Sequence, residues 1–125
     1  MKNKVMIIDD DKELLEELKE TLQISGYDVE AIDDAASALE AANSLKPDII
    51  LLDLKMPKKS GFQVADELKH LQELSHIPII AITGFLKEDY LPLMNLCGIN
   101  RCIKKPFTPQ DIISSIEETL KPNKA

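Results

Sequence analysis

The chain has 125 residues, 44% hydrophobic and 30% charged, a balance that fits one globular domain with its own buried core. A net charge of −7 without any Lys/Arg cluster excludes a nucleic-acid footprint, and no apolar run approaches a membrane span. The two cysteines, Cys97 and Cys102, form no zinc pattern; with no signal peptide ahead of them, the expected location is the reducing cytoplasm.

Val5-Met6-Ile7-Ile8 is a continuously apolar run, the pattern of a parallel strand buried on both faces. Asp9, Asp10 and Asp11 follow it directly. Leu15, Leu18 and Leu22 recur at helical spacing and predict a helix over residues 12–25, with Gly26 as its stop. Residues 27–32 read as a short polar strand nearer a sheet edge. Ala38, Leu39 and Ala42 predict a second helix over residues 34–45, closed by Pro47.

Ile49-Ile50-Leu51-Leu52 is the best candidate for the central strand, and Asp53 ends it. A loop over residues 55–60 leads to a third helix over 61–74, with Val64, Leu68 and Leu71 facing inward. Residues 77–82 form the fourth strand, followed by Thr83 and Gly84. The helix expected over residues 87–97 contains Pro92, which must sit in its first turn or kink it. Cys102-Ile103-Lys104 is a short fifth strand. The last helix carries full start signals: Thr108 as N-cap, Pro109 at the first position and Asp111 as capping acid, then Ile112, Ile113, Ile116 and Leu120. Beyond Lys121 a frayed tail is expected.

Five strand-helix alternations imply an α/β fold with a parallel sheet, right-handed crossovers and helices on both faces. By analogy with flavodoxin-like doubly wound (βα)5 folds, the strand order is 2-1-3-4-5, which sets strands one and three side by side at the topological switch point. Asp9, Asp10 and Asp53 then share one crevice at the C-terminal edge of the sheet.

Each chemistry-bearing residue also has a plain structural explanation. Acids ahead of a helix cap its N–H groups, which accounts for Asp11 but not for three aspartates in a row. Asp9 and Asp10 therefore read as a cation site, because gathered carboxylates repel unless a hard cation sits between them. Asp53 precedes a loop and has no capping role; beside a bound cation it is a phosphoryl acceptor. Thr83 either satisfies local backbone or donates its hydroxyl to a phosphoryl oxygen. Gly84 leaves its approach open. Lys105 faces the acidic crevice, where an ammonium pairs with a carboxylate and then holds a phosphoryl group. Lys104 should point to the opposite face. His70, His76, Cys97 and Cys102 read as surface or packing residues.

The segments VMIIDDDKELL, PDIILLDLKMPKKSGFQV, IPIIAITG and KKPFTPQDI, in this order and spacing, resemble the receiver domain of bacterial two-component response regulators over essentially the whole chain. The resemblance implies a receiver over residues 1–121 and a short tail over 122–125. It implies Asp53 as phosphoacceptor, and Mg2+ held by Asp10, Asp53 and the carbonyl of Lys55, with Asp9 acting through water. Thr83 and Lys105 would contact the phosphoryl group, and the Lys105-Pro106 bond would be cis. Met56-Pro57 and Gly61 match the family's loop and third-helix start.

The implied partners are a sensor histidine kinase or phosphotransfer protein, and a downstream protein bound through the face from the fourth to the fifth helix. Neither nucleic acid nor membrane is implied. The domain would be no enzyme beyond its own phosphorylation and slow dephosphorylation. Read as a complete chain, it would be a stand-alone regulator acting by protein contact. One position departs: three residues before Lys105, where the family usually places Tyr or Phe, stands Cys102. A cysteine cannot make the ring's rotamer change, so the switch is expected to rest on the loop after the fourth strand and on the fourth helix. Lys55, two residues past Asp53, is a solvated loop lysine or a screen at the site's mouth.

Three competing readings are weighed against this one. A flavodoxin-type cofactor binder would need a first loop that cradles phosphate, which three aspartates repel. A haloacid-dehalogenase-type phosphatase would want a second acid at position 55, which is lysine. A receiver fold that binds partners without being phosphorylated is the remaining alternative.

Overall fold

Strand and helix alternate five times in the computed structural model, which describes residues 2–84, 87 and 90–121. The strands are β1 (Lys4–Ile8), β2 (Asp28–Ile32), β3 (Ile49–Asp53), β4 (Ile79–Thr83) and β5 (Arg101–Lys104). The helices are α1 (Lys12–Ile24), α2 (Ala38–Leu45), α3 (Gly61–Lys69), α4 (Tyr90–Leu96) and α5 (Pro109–Leu120). All neighbouring strands are parallel, in the order β2-β1-β3-β4-β5. The fold is flavodoxin-like, as expected.

Side-chain alternation along the strands builds two cores, one on each face of the sheet. Val5, Ile7, Ile49, Leu51, Ile80 and Ile82 meet the leucines of α1 and the isoleucines of α5. Met6, Ile8, Ile50, Leu52, Ile79 and Ala81 face the other way, toward residues of α2, α3 and α4. Continuous apolar strands are therefore explained by burial on both sides, and β3 is buried at every position.

The local signals act as expected in most elements. The Asp11 carboxylate caps α1 by accepting from Leu14 N–H at 3.2 Å. The helix closes when Tyr27 N–H reaches the Leu22 carbonyl at 3.0 Å, which requires Gly26 at φ +99. Thr108 and Asp111 form a reciprocal capping box on α5, with Pro109 in the first turn. Pro92 lies in the first turn of α4, where its missing N–H costs little.

Several boundaries differ from the sequence expectation. The second helix starts as a 3-10 turn, Ala35–Ser37, because the Asp34 side chain caps Ala36 N–H; α2 ends at Leu45 as expected, with Lys46 as its C-cap in the left-handed region at φ 50, before Pro47. The third helix stops at Lys69 instead of continuing to residue 74. The Lys69 ammonium donates to the carbonyls of Ser75 (3.0 Å) and Ile77 (2.9 Å), which holds the following residues as tight turns. Leu71 is consequently exposed and Leu74 takes the buried place. β4 starts two residues late, at Ile79. The predicted fourth-helix residues 88 and 89, and the tail at 122–125, lie outside the described residues. No helix among the described residues is long and apolar enough to cross a membrane.

The start of α3 is set by contact with β3. Gly61 N–H donates to the Leu54 carbonyl at 3.0 Å, and a Cβ at Gly61 would lie 2.2 Å from the Asp53 carbonyl oxygen. Gly61→Ala must push α3 away from the strand that carries Asp53. A loss of about 1–3 kcal/mol in urea unfolding is expected, and an alanine variant as stable as the parent would contradict this close approach.

Candidate functional site

Register explains why the acids converge. Ile8 pairs with Leu52 in adjacent parallel strands, so the next residues, Asp9 and Asp53, leave the sheet side by side. Asp10 follows in the turn before α1. One carboxylate oxygen from each of Asp9, Asp10 and Asp53 lies within 4.8 Å of the others, and no other such cluster exists among the described residues. Asp9 and Asp53 are buried and Asp10 is exposed.

Each buried carboxylate is held by named groups. Asp9 Oδ1 accepts Asp11 N–H at 2.9 Å, and its Oδ2 accepts the Lys105 ammonium at 3.0 Å. Lys105 Nζ also stands 3.8 Å from Asp53 Oδ1, which accepts Lys55 N–H at 3.4 Å. Lys105 is brought there by the turn after β5: its N–H donates to the Thr83 carbonyl at 2.7 Å, and the Lys105-Pro106 bond is cis. The predicted cis bond and the Lys105 placement are both found. Lys104, one residue earlier, is exposed and takes no part in these contacts, as alternation predicted.

Electrostatics of the site are unbalanced. Burial pushes the Asp53 carboxyl up to about 7, and the Asp9 charge adds to the rise; Lys105 and the Lys55 N–H pull it down, and Asp10 pushes it further up. Three carboxylates against one ammonium leave an excess of negative charge in a partly desolvated place. The donor set is all oxygen, two of the groups are buried and the ligand atoms are mutually close, so these residues suit a hard divalent cation such as Mg2+.

Thr83 is buried at the end of β4, opposite Lys104 in register, and Gly84 beyond it is exposed with open space around its Cα. Thr83 and Asp53 thus end β4 and β3, and Lys105 follows β5, at one edge of the sheet. Lys55 is exposed at the start of the next loop, and only its backbone joins the cluster. His70 is exposed at the C-cap of α3 and His76 in the following loop; Cys97 and Cys102 are half-buried. Sequence reasoning missed one contact near the site, the edge-on pair of Phe62 and Tyr90. No periodicity links residues on two different helices, so nothing in the local pattern signals it.

Comparison with known proteins agrees with this geometry. Residues 5–117 match the family described as the response regulator receiver domain. The chain is 32% identical over 120 residues to the polar-differentiation response regulator DivK of Brucella anthropi, covering 96% of this chain and 98% of that protein. It is 31% identical over 122 residues to the alkaline phosphatase synthesis transcriptional regulatory protein PhoP of Bacillus subtilis, which spans 97% of this chain but only 50% of that protein. Among solved structures, the chemotaxis protein CheY4 of Vibrio cholerae superposes with a TM-score of 0.92 at 26% identity, over 96% of this chain and 100% of that one. With the strand order, the gathered aspartates and the sequence match all in agreement, the chain belongs to the family of receiver domains of two-component response regulators.

Proposed function

We propose that this receiver takes a phosphoryl group onto Asp53 from the phosphohistidine of a sensor histidine kinase or phosphotransfer protein, and that the modified domain changes its binding to a downstream protein. Receiver domains interact with such phosphodonors and with downstream targets. The observation that carries the reading is the buried Asp53 carboxylate, set beside Asp9 and within 3.8 Å of the Lys105 ammonium.

In the transfer, an Asp53 carboxylate oxygen forms a bond to phosphorus while the donor's P–N bond breaks and the imidazole leaves with the electron pair. Negative charge gathers on the phosphoryl oxygens as this happens. Asp10, Asp53 and the Lys55 carbonyl would hold Mg2+, with Asp9 helping through water; the bound ion supplies positive charge that offsets repulsion between carboxylate and phosphoryl group. Lys105 exchanges part of its pairing with Asp9 and Asp53 for a phosphoryl oxygen, acting as a point charge. The Thr83 hydroxyl donates to another. Attack of water on phosphorus later breaks the Asp53 O–P bond and restores the carboxylate, so the domain's chemistry is confined to its own acyl phosphate.

The output surface is proposed to be the face from α4 to α5. Leu91, Leu93 and Leu96 are exposed on α4, an unusual density of apolar side chains for a helix of seven residues. Partner protein, rather than nucleic acid, fits the net charge of −7. A cytoplasmic setting, where donor kinases present their phosphohistidine, belongs to the same proposal.

The test is intact mass after incubation with magnesium and phosphoramidate. A single magnesium-dependent phosphoryl adduct is expected in the parent and none in Asp53→Asn. Absence of an adduct in the parent, with a cognate kinase also failing to label it, would favour a receiver that binds partners without phosphorylation.

A further inference from the structure

The loop between β3 and α3, residues 54–60, carries Lys55, Lys58 and Lys59 and no acid, in a chain whose net charge is −7. Lys59 is half-buried, and its ammonium is bound to Glu67 at 2.7 Å. Lys55 and Lys58 are exposed, and among the described residues neither ammonium meets a carboxylate. Two uncompensated cations thus stand just past the acceptor. On the β1 and β2 side of the same sheet edge the sign is opposite: Asp10, Asp11, Asp33 and Asp34 are exposed there, and Lys12 offsets only Asp33, at 3.7 Å.

The loop is pinned along its length. At its start Lys55 N–H donates to Asp53 Oδ1 at 3.4 Å, and at its end Gly61 N–H donates to the Leu54 carbonyl at 3.0 Å. The Ser60–Gln63 capping box and the Lys59–Glu67 pair hold the second half. Lys59 N–H also donates to the Pro57 carbonyl at 2.8 Å, closing a three-residue turn with Lys58 at its apex. Lys58 takes φ 69, in the left-handed region. Such a turn is strained for a residue with a Cβ, and glycine would hold it at less cost. A lysine kept at a strained apex beside an acceptor carboxylate points to work for its side chain.

Resting on the phosphoacceptor reading of Asp53, we propose that the β3–α3 loop is a recognition surface for an acidic patch beside the phosphohistidine of the donor protein, with Lys58 as its specificity-determining residue. A donor that reaches Asp53 passes this loop, which begins at the next residue. Carboxylates on the donor meet Lys55 and Lys58 on one side and are repelled by the exposed aspartates on the other. The two halves of the sheet edge therefore favour one orientation of an acidic donor, with its histidine over Asp53. Because the backbone at Lys58 is already fixed, little order is lost when the contact forms. Lys59 braces the loop through Glu67 and leaves the recognition to its neighbours. The transfer itself is unchanged: the Asp53 O–P bond forms as the donor N–P bond breaks and the imidazole leaves with the electron pair.

The probes are two synthetic peptides, each with a single phosphohistidine, flanked by glutamates in one and by lysines in the other. Each is given with magnesium to the full chain, and the rate of labelling is read by intact mass. At low salt the parent should be labelled ~3-fold or more faster by the glutamate peptide, against the trend that a net charge of −7 sets. High salt should erase the preference. Lys58→Glu should reverse it. Lys58→Gly should raise the urea midpoint by relieving the turn and yet weaken the preference, a divergence that a merely structural role does not produce. Lys12→Glu makes the same charge change on the aspartate side of the edge and measures the effect of net charge alone. A Lys58→Glu effect no larger than that of Lys12→Glu overturns the proposal, as does a glycine variant with an undiminished preference. Equal or faster labelling of the parent by the lysine peptide also overturns it, and so does transfer from neither peptide when phosphoramidate labels Asp53. Each of these leaves the phosphoacceptor reading intact. No adduct in the parent from any of the three donors removes that reading, and the recognition surface falls with it.

Discussion

Lys105→Met is expected to lower the stability of the metal-free protein at neutral pH by about 3 kcal/mol, the cost of stripping the partner from a buried charge. Asp9 is fully buried, and the Lys105 ammonium at 3.0 Å is its ion-pair partner. A methionine retains much of the apolar stem and removes only the charge, so packing loss is minor. What remains at Asp9 is one backbone donor, Asp11 N–H, for a carboxylate shut away from water. Lys105 is itself a quarter exposed, which keeps the expected cost at the low end of the range for buried pairs. Magnesium should recover a large part of the loss, because a divalent cation among Asp9, Asp10 and Asp53 replaces the missing positive charge. Urea unfolding in chelator and in magnesium measures both quantities. A loss under about 1 kcal/mol in chelator, the worth of an ordinary surface pair, would mean that Lys105 does not support Asp9.

Asp53→Asn is expected to stabilise the metal-free protein, with a gain that depends on pH. The folded carboxyl titrates at about 7, whereas an unstrained aspartate titrates at 3.8. Between those values the folded protein binds the proton more tightly than the unfolded chain, so stability falls as pH rises through this window. Below pH ~4 the carboxyl is neutral in both states and the asparagine gains nothing from removing a charge. Above pH about 7 the parent bears the full penalty of a buried carboxylate beside Asp9, and the variant is relieved of it. The relief is on the order of 2–4 kcal/mol, as a shift of this size implies. Magnesium should shrink the difference by stabilising the charged parent. Paired melting curves across the pH range, in chelator, give the result; a difference that stays flat with pH would refute the account. The same substitution that should abolish phosphorylation should thus raise stability, which is the expected trade at a functional carboxylate.

Much of this was legible from local pattern. Apolar runs at residues 5–8, 49–52 and 79–82, short and bounded by polar or turn residues, read as strands buried on both faces, and each lies within a strand whose C-terminal end delivers one of the site's carboxylates or its threonine. Thr108, Pro109 and Asp111 state their roles as cap, first-turn residue and capping acid in the order they occur, because capping depends on residues three apart. Where the pattern misled, a distant group had intervened. Leu71 fits the helical spacing of Val64 and Leu68, yet the Lys69 ammonium captures the carbonyls of Ser75 and Ile77 and ends the helix first. Nothing within the helix's own repeat could report a side chain turning forward onto a later loop.

The amino-acid sequence by itself determined the order of the strands and main helices, the caps at Asp11 and Thr108, and the presence of carboxylates, a threonine and a lysine at strand ends, since each follows from interactions spanning a few residues. Only the tertiary structure decided that Asp9 is sealed and Asp10 open, that Lys105 joins Asp9 more closely than Asp53, and that Phe62 meets Tyr90. Those outcomes depend on the register between parallel strands and on the packing of separate helices. Both are set by contacts between residues far apart in the chain, where burial and charge are shared by neighbours that no local window contains.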